Sequence, residues 1–240
     1  MKKTVELIGH MKHFEGSFSG QQFKLLDFQV WILCSIFGFV HVDPVTGEPT
    51  DKRVIEDVLL FLSRKNAKTA LSSVILLSDM ILSHINYYQG YLVSNTREQA
   101  RIALKFVQGY AKSIDSQLKK KRFKNYVNWL KYAPTEGSIK CLSSEAGVND
   151  GLRPDSCILD EYHAATTSDM ENVIKSGMGA SANPLFIIIS SGGYNLHGPF
   201  HEKIQVAHRR LTGQYEYPDN IFYALYELDQ DDQWDDPAVW

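Results

Sequence analysis

Two short stretches of this chain carry residue types suited to phosphate chemistry. The first is Ser63-Arg64-Lys65-Asn66-Ala67-Lys68-Thr69, where an apolar strand pattern gives way to a helical one. A helix start offers unpaired N–H groups and the positive end of the helix dipole, so an anion is stabilised there. A lysine at that point reaches terminal phosphates, and a threonine hydroxyl ligates magnesium. The second stretch is Cys157-Ile158-Leu159-Asp160-Glu161, an apolar strand ending in two adjacent carboxylates. Successive strand side chains point to opposite faces, so the two acids take separate tasks. Asp160, at the tip, is suited to hold magnesium through water beside Thr69. Glu161, just beyond, is suited to polarise an attacking water as general base.

Neither stretch decides alone. The P-loop pattern G-x-x-x-x-G-K-[ST] expects glycine where this chain has Leu62 and Ala67. A basic helix start and a strand closed by a charged turn are both common. Finding both in this order, each at the C-terminal end of a buried strand, is much less common, and that is where an open α/β sheet binds its ligand. A third run, Leu185 to Ser190, is followed by Ser191-Gly192-Gly193. Ser190 or Ser191 is a candidate sensor of a γ-phosphate, and a plain Ser-Gly turn is the equal alternative.

The hydrophobic pattern supplies the elements that must position these residues. Strands are expected at Val54 to Leu62, Gly90 to Ser94, Ser138 to Leu142, Ser156 to Leu159, Leu185 to Ser190 and Ile221 to Glu227. Helices are expected at Phe23 to Val40, Thr69 to Ile85, Thr96 to Ile114, Ser168 to Ser176 and Phe200 to Leu211. Thr96 with Gln99 reads as a capping box. Asp43-Pro44, Gly47 and Pro49 mark Val42 to Lys52 as loop, and residues 1 to 22 read as an irregular arm. Strand and helix alternate, which predicts an α/β P-loop NTPase fold (of the ASCE or RecA-like kind) whose mostly parallel central sheet is covered by helices on both faces. The basic, aromatic segment from Lys119 to Lys131, with Lys119-Lys120-Lys121-Arg122, reads as a solvated helix face, with contact to DNA phosphates as the alternative.

The chain has 240 residues, enough for one large α/β domain or two small ones. Its formal net charge of -3 gives no global excess of positive charge for nucleic acid. Cys34, Cys141 and Cys157 lie far apart without a C-x-x-C pair and read as buried thiols in a reducing compartment. Met1-Lys2-Lys3 is followed by mixed polar sequence rather than a signal-peptide core, and no apolar stretch is long enough to span a bilayer. A soluble, intracellular protein is expected. His84, His163 and His208 show no metal spacing.

Taken together, the stretches resemble the ATPase half of a tailed-phage terminase large subunit, the motor that packages viral DNA. The resemblance runs from about Phe28 to Trp240. It includes Ser94-Asn95-Thr96-Arg97-Glu98-Gln99-Ala100, Gly151-Leu152-Arg153-Pro154-Asp155 running into Leu159-Asp160-Glu161-Tyr162-His163-Ala164, Ile189-Ser190-Ser191-Gly192-Gly193, and the close Tyr226-Glu227-Leu228-Asp229 with Trp234-Asp235-Asp236-Pro237. Such terminases place an arginine four residues before the P-loop lysine, here Arg64, so the resemblance accommodates Leu62. It implies that Gln29 packs against adenine and that Ser63 to Thr69 cradle the phosphates of ATP. It also implies that Lys68 and Arg64 stabilise phosphate charge, and that Thr69 and Asp160 hold Mg2+. An arginine from a neighbouring subunit would complete the site, with Arg153 the first candidate and Arg101 the second. Many relatives carry that arginine just before the glycine equivalent to Gly151, where this chain has Asp150.

The expected domains are an N-terminal arm at 1–22, an ATPase domain at 23–228 and an acidic linker at 229–240. The linker leads toward a C-terminal nuclease domain that is not in this chain, so no nuclease activity is expected of it. The resemblance further implies double-stranded DNA, a homo-oligomeric ring on a portal protein and a small terminase subunit as partners, no membrane, and a place in the host cytoplasm. Two other readings stay open. One is a nucleotide-dependent assembly module with little hydrolysis; the other is a helicase-like ATPase, which would need a second RecA-like domain.

Overall fold

The computed structural model describes residues 2–119, 121–143, 151–228, 231–233 and 235–236. Expectations resting on Lys120, Asp150, Asp229, Trp234 and Pro237 lie outside these residues. In chain order, α1 (Lys2–Ile8) and α2 (Asp27–Phe37) precede a hairpin of β1 (Val40–Val42) and β2 (Pro49–Arg53). β3 (Asp57–Phe61) leads into α3 (Lys68–Leu82), and β4 (Gln89–Ser94) into α4 (Arg97–Asp115). Three strands follow: β5 (Phe123–Asn125), β6 (Trp129–Tyr132) and β7 (Gly137–Ser143). The chain then runs through β8 (Ser156–Asp160), α5 (Asp169–Met178), β9 (Leu185–Ser190), α6 (Pro199–Leu211) and β10 (Ile221–Leu225).

Eight strands form one sheet in the order β10-β3-β9-β8-β4-β7-β6-β5. From β10 to β7 all neighbours are parallel, and β6 and β5 add an antiparallel meander. Strand alternation sorts the apolar side chains into two cores. Val58, Leu60, Leu92, Ile158, Ile187 and Ile189 face α3 and α4. Leu59, Tyr91, Cys157, Leu159, Phe186 and Ile188 face α5 and α6. The expected α/β architecture, with helices on both faces, is therefore the one observed.

Three local expectations are corrected. The N-terminal arm is not wholly irregular. It begins with α1, and Ile8 and Met11 are buried in the α3–α4 core. Phe14 crosses α4 at Gly109, where any Cβ would collide with its ring. The Val42 to Lys52 loop contains most of a β-hairpin, whose antiparallel bonds its turn residues allow rather than forbid. The basic segment after Lys119 is strand rather than helix. Phe123, Leu130 and Tyr132 bury against α4 at a strand's two-residue spacing, while Lys124 and Lys131 point the other way.

At the N-terminal edge of the sheet, α3 is tied down by a buried ion pair. Asp79 accepts from Arg53 Nη1 at 2.7 Å, from Tyr88 Oη at 2.9 Å and from Ser156 Oγ at 2.5 Å. Arg53 also donates to the carbonyls of Ile55, Asn183 and Pro184. One carboxylate thus holds α3 to the starts of β4 and β8, and one guanidinium holds it to the entries of β3 and β9. Removing one partner strands the other charge in the interior. Asp79→Ala is therefore expected to cost about 3–5 kcal/mol and to lower the thermal midpoint by roughly 10 °C, read by circular dichroism.

Candidate active site

The parallel register brings the chemistry to the sheet's C-terminal edge. Phe61 pairs with Ser190, Ile189 with Asp160, and Leu159 with Val93. β3 ends at Phe61 and α3 starts at Lys68, so Leu62 to Ala67 form the connecting loop. Lys65 and Ala67 adopt left-handed backbone at φ 69° and 53°. Ala67 occupies the second glycine position of the motif and takes a conformation that glycine adopts freely. Its methyl group makes this cost about 1 kcal/mol. Leu62, at the first glycine position, belongs to the core at 1% exposure, and its N–H donates to Ser190 O at 3.0 Å. No positive φ is needed there, so leucine fits.

The Lys68 ammonium donates to Leu62 O at 3.3 Å and Ser63 O at 3.1 Å, inside the curve of the loop. Burial lowers its pKa, the carboxylates of Glu161 and Asp160 oppose that shift, and Arg64 reinforces it. Asn66 Nδ2 donates to Ser63 Oγ, which closes the base of the loop. A cleft of about 1290 Å³ opens above. Gln29, Arg64, Lys65, Lys68, Thr69 and Glu161 line it, although they come from α2, the loop, α3 and the end of β8. Gln29 is buried at 2% exposure and its Oε1 accepts from Leu26 N at 3.0 Å, which caps α2.

Asp160 and Glu161 are in different environments, as strand alternation requires. Asp160 faces a recess of about 90 Å³ shared with Ser94 and Asn95. It nevertheless lies near enough to Lys68 for each to shift the other's protonation. Burial first, then the Glu161 charge, pushes the Asp160 carboxyl up to about 6, against the pull of the Glu161 N–H and Lys68. Glu161 adopts left-handed backbone at φ 55°, which turns its side chain out of the strand. Its N–H donates to Asp160 Oδ1 at 2.9 Å and to Ile189 O at 3.1 Å.

The remaining expected residues are placed less directly. Ser190 is fully buried, and its Oγ meets His163 rather than the cleft. Ser191 Oγ lies 3.5 Å from Glu161 Oε2. Arg153 is exposed three residues before β8, at the N-terminal edge of the sheet, whereas Asp160 closes that strand at the other edge. Arg101 Nε donates to Asn128 Oδ1 at 2.8 Å. His163, set aside for lack of metal spacing, lines the cleft and touches Glu161 at 3.1 Å. The sequence signals for it were its position two residues after Glu161 and its place in the stretch Leu159 to Ala164.

A family model described as the ATPase domain of the terminase large subunit matches residues 27–209. The chain belongs to that family. The large terminase of bacteriophage HK97 has the same fold, with a TM-score of 0.73 at 23% identity over 96% of this chain and 45% of that one. The large terminase of the thermophilic bacteriophage D6E, solved in complex with ATP-gamma-S, gives a TM-score of 0.51 at 14% identity, covering 84% of this chain and 44% of that one. Protein YmfN of Escherichia coli strain K12 is 36% identical over 90 residues, which is 38% of this chain and 20% of that protein. This terminase ATPase chain thus spans less than half the length of the two phage proteins. Among its described residues no helix is long and apolar enough to cross a membrane.

The residues fit a magnesium nucleotide. Among the described residues no group of three or more His, Cys, Asp or Glu is poised around a metal. Magnesium needs no such cage, because it is held by one or two carboxylates together with substrate phosphates. Asp160 is a carboxyl whose pKa is raised by burial and by the Glu161 charge, and Lys68 offsets only part of that rise. The sign of its effect on stability follows. In the folded chain the carboxyl protonates near 6, against about 3.9 in an unfolded chain. Between those values the folded state binds more protons, so stability falls as pH rises through this window and stays lowered above it. Asp160→Asn should raise the stability of the nucleotide-free protein in EDTA by about 2 kcal/mol at pH 7.5. The gain should vanish at pH 4, as read by urea unfolding at both pH values.

Proposed function

We propose that this terminase ATPase domain hydrolyses Mg-ATP and uses the energy to drive double-stranded DNA into a procapsid. The observation that carries this reading is the meeting of Lys68, Thr69 and Glu161 on one cleft, with Asp160 electrostatically coupled to Lys68. The family membership supports the same reading. The triphosphate would lie across the loop from Ser63 to Thr69, with Gln29 toward the base. The unpaired N–H groups of the first turn of α3 suit its charge.

Lys68 would leave the carbonyls of Leu62 and Ser63 for the terminal phosphates, and Arg64 at the cleft wall would add a second positive charge. Thr69 and Asp160 are the residues that would hold magnesium, which when bound supplies neutralising charge to the phosphates. Glu161 would take a proton from the water whose oxygen forms the new bond to Pγ, while the bond from Pγ to the ADP oxygen breaks. Ser190 or Ser191, at the end of β9, would report on the γ-phosphate, and with Ser190 Oγ turned to His163 the better placed is Ser191, whose Oγ lies 3.5 Å from Glu161 Oε2.

The site as described holds no arginine from a second subunit. We propose that one arrives from a neighbour in a ring assembled on a portal protein, with Arg153 the first candidate and Arg101 the second. Arg153 is exposed at the edge remote from its own cleft, as a residue serving another subunit would be. A small terminase subunit and a C-terminal nuclease domain complete the proposed set of partners, in the cytoplasm of the host.

Glu161→Gln is expected to keep Mg-ATP affinity within about threefold and to lower turnover by two to four orders of magnitude. Lys68→Ala is expected to weaken nucleotide binding itself. Steady-state ATPase assays over a range of protein concentrations, with calorimetric titration of a non-hydrolysed ATP analogue, separate the two effects. Unchanged turnover in the glutamine variant would sink the mechanism.

A further inference from the structure

His163 has more partners than a passing surface histidine. Its backbone N–H donates to Ser190 Oγ at 3.1 Å, and its ring Nδ1 lies 2.9 Å from the same oxygen and 3.1 Å from Glu161 Oε2. The tautomer with hydrogen on Nδ1 lets the ring face Glu161 Oε2, because an ionised carboxylate only accepts hydrogen bonds, and that hydrogen is shared with Ser190 Oγ. Ser190 Oγ then accepts from both His163 groups and directs its own proton to Ser191 O, 3.3 Å away. In that tautomer the contacts from His163 to Ser190 and to Glu161 all run outward from the histidine.

The far side of the ring is shaped by Gly193. A Cβ at that position would lie 2.5 Å from His163 Cδ2 and 2.8 Å from its Cβ and Cγ. The φ of Gly193 is not in the left-handed region, so glycine is required there for space and not for backbone freedom. Gly192 differs, since a Cβ there would meet only Phe61 Cζ, at an ordinary 3.9 Å. The loop after β9 is thus cut to seat one imidazole against one carboxylate.

We infer that His163 is a positioning residue for Glu161. Its Nδ1–H sets the carboxylate's orientation, and Ser190 and Gly193 set the ring. The two strands β8 and β9 are thereby joined at the point where water would be activated. Glu161 needs such a hold, because its backbone is left-handed and, among the described residues, the other hydrogen bond to its carboxylate is a 3.5 Å contact from Ser191, with Lys68 coupled to it by charge. The inference rests on the reading of Glu161 as the residue that activates water.

The test uses the whole chain with His163→Ala, His163→Asn, Gly193→Ala and Gly192→Ala. His163→Ala and Gly193→Ala should lower kcat at least tenfold while the affinity for a fluorescent non-hydrolysed ATP analogue with magnesium stays within about threefold. His163→Asn, which can present an N–H near the same place, should recover part of the rate. Gly192→Ala should behave as the parent. A wild-type kcat in His163→Ala overturns the inference, and so does a fall in analogue affinity that matches the fall in rate. If Glu161→Gln also turns over normally, the reading of Glu161 has failed; if that variant is silent and His163→Ala is not, only the role of His163 has. A readout without turnover is the 15N spectrum of the histidine rings. It should place the His163 proton on Nδ1, shifting in Glu161→Gln. A proton on Nε2 with bare Nδ1 would overturn the inference even if the isolated chain had no ATPase activity.

Discussion

A parallel strand covered on both faces has no place for a polar side chain until it ends. That constraint governs this molecule. β3, β8 and β9 are apolar between their ends because α3 and α4 lie on one side and α5 and α6 on the other. Each strand becomes polar at its C-terminal tip, at Ser63, Asp160 and Ser190. Because the strands are parallel and in register, these tips fall on one edge. The reactive groups are gathered by what the sheet excludes. The raised pKa of Asp160 is the mark of a carboxyl at the boundary of that exclusion.

Much of this could be read from residue order. Continuous apolar runs identified the buried parallel strands, and Thr96 with Gln99 gave the start of α4, where the reciprocal cap is formed. Lys68-Thr69 and Asp160-Glu161 stood out as polar groups at the ends of apolar runs, and the fold brings Lys68, Thr69 and Glu161 onto one cleft. What escaped was set by tertiary context. The meander β5–β6 hides in a lysine-rich stretch because only one face of it is buried, and its period of two was masked by the charges on the other. The arm's docking depends on a space at Gly109, and the seat of His163 on a space at Gly193. A cavity matched to a distant ring leaves no local pattern in sequence.

Positive φ outside glycine occurs in two places among the described residues: the turns at His84, Tyr87 and Glu136, and the region where function is proposed. Lys65, Ala67 and Glu161 all hold positive φ without being glycine, within or beside the cleft. Such conformations persist only where the surroundings enforce them. At Glu161 two acceptors on its N–H do so, and at the loop the Lys68 ammonium and the Asn66–Ser63 bond do so. The Arg53–Asp79 pair at the other end of α3 fixes the helix on which this loop leans.

The two rims of the sheet have a further consequence, for how the molecule meets copies of itself. A sheet edge carries free N–H and C=O groups and invites another strand to add. The β5 rim spans only Phe123–Asn125 and carries Lys124, so it offers a short, charged template. On the β10 rim the Tyr223 N–H is already taken by the Tyr217 hydroxyl at 3.2 Å. A phenol stoppers one edge and a lysine repels at the other. Each rim of the eight-stranded sheet thus carries a feature that discourages a ninth strand from adding.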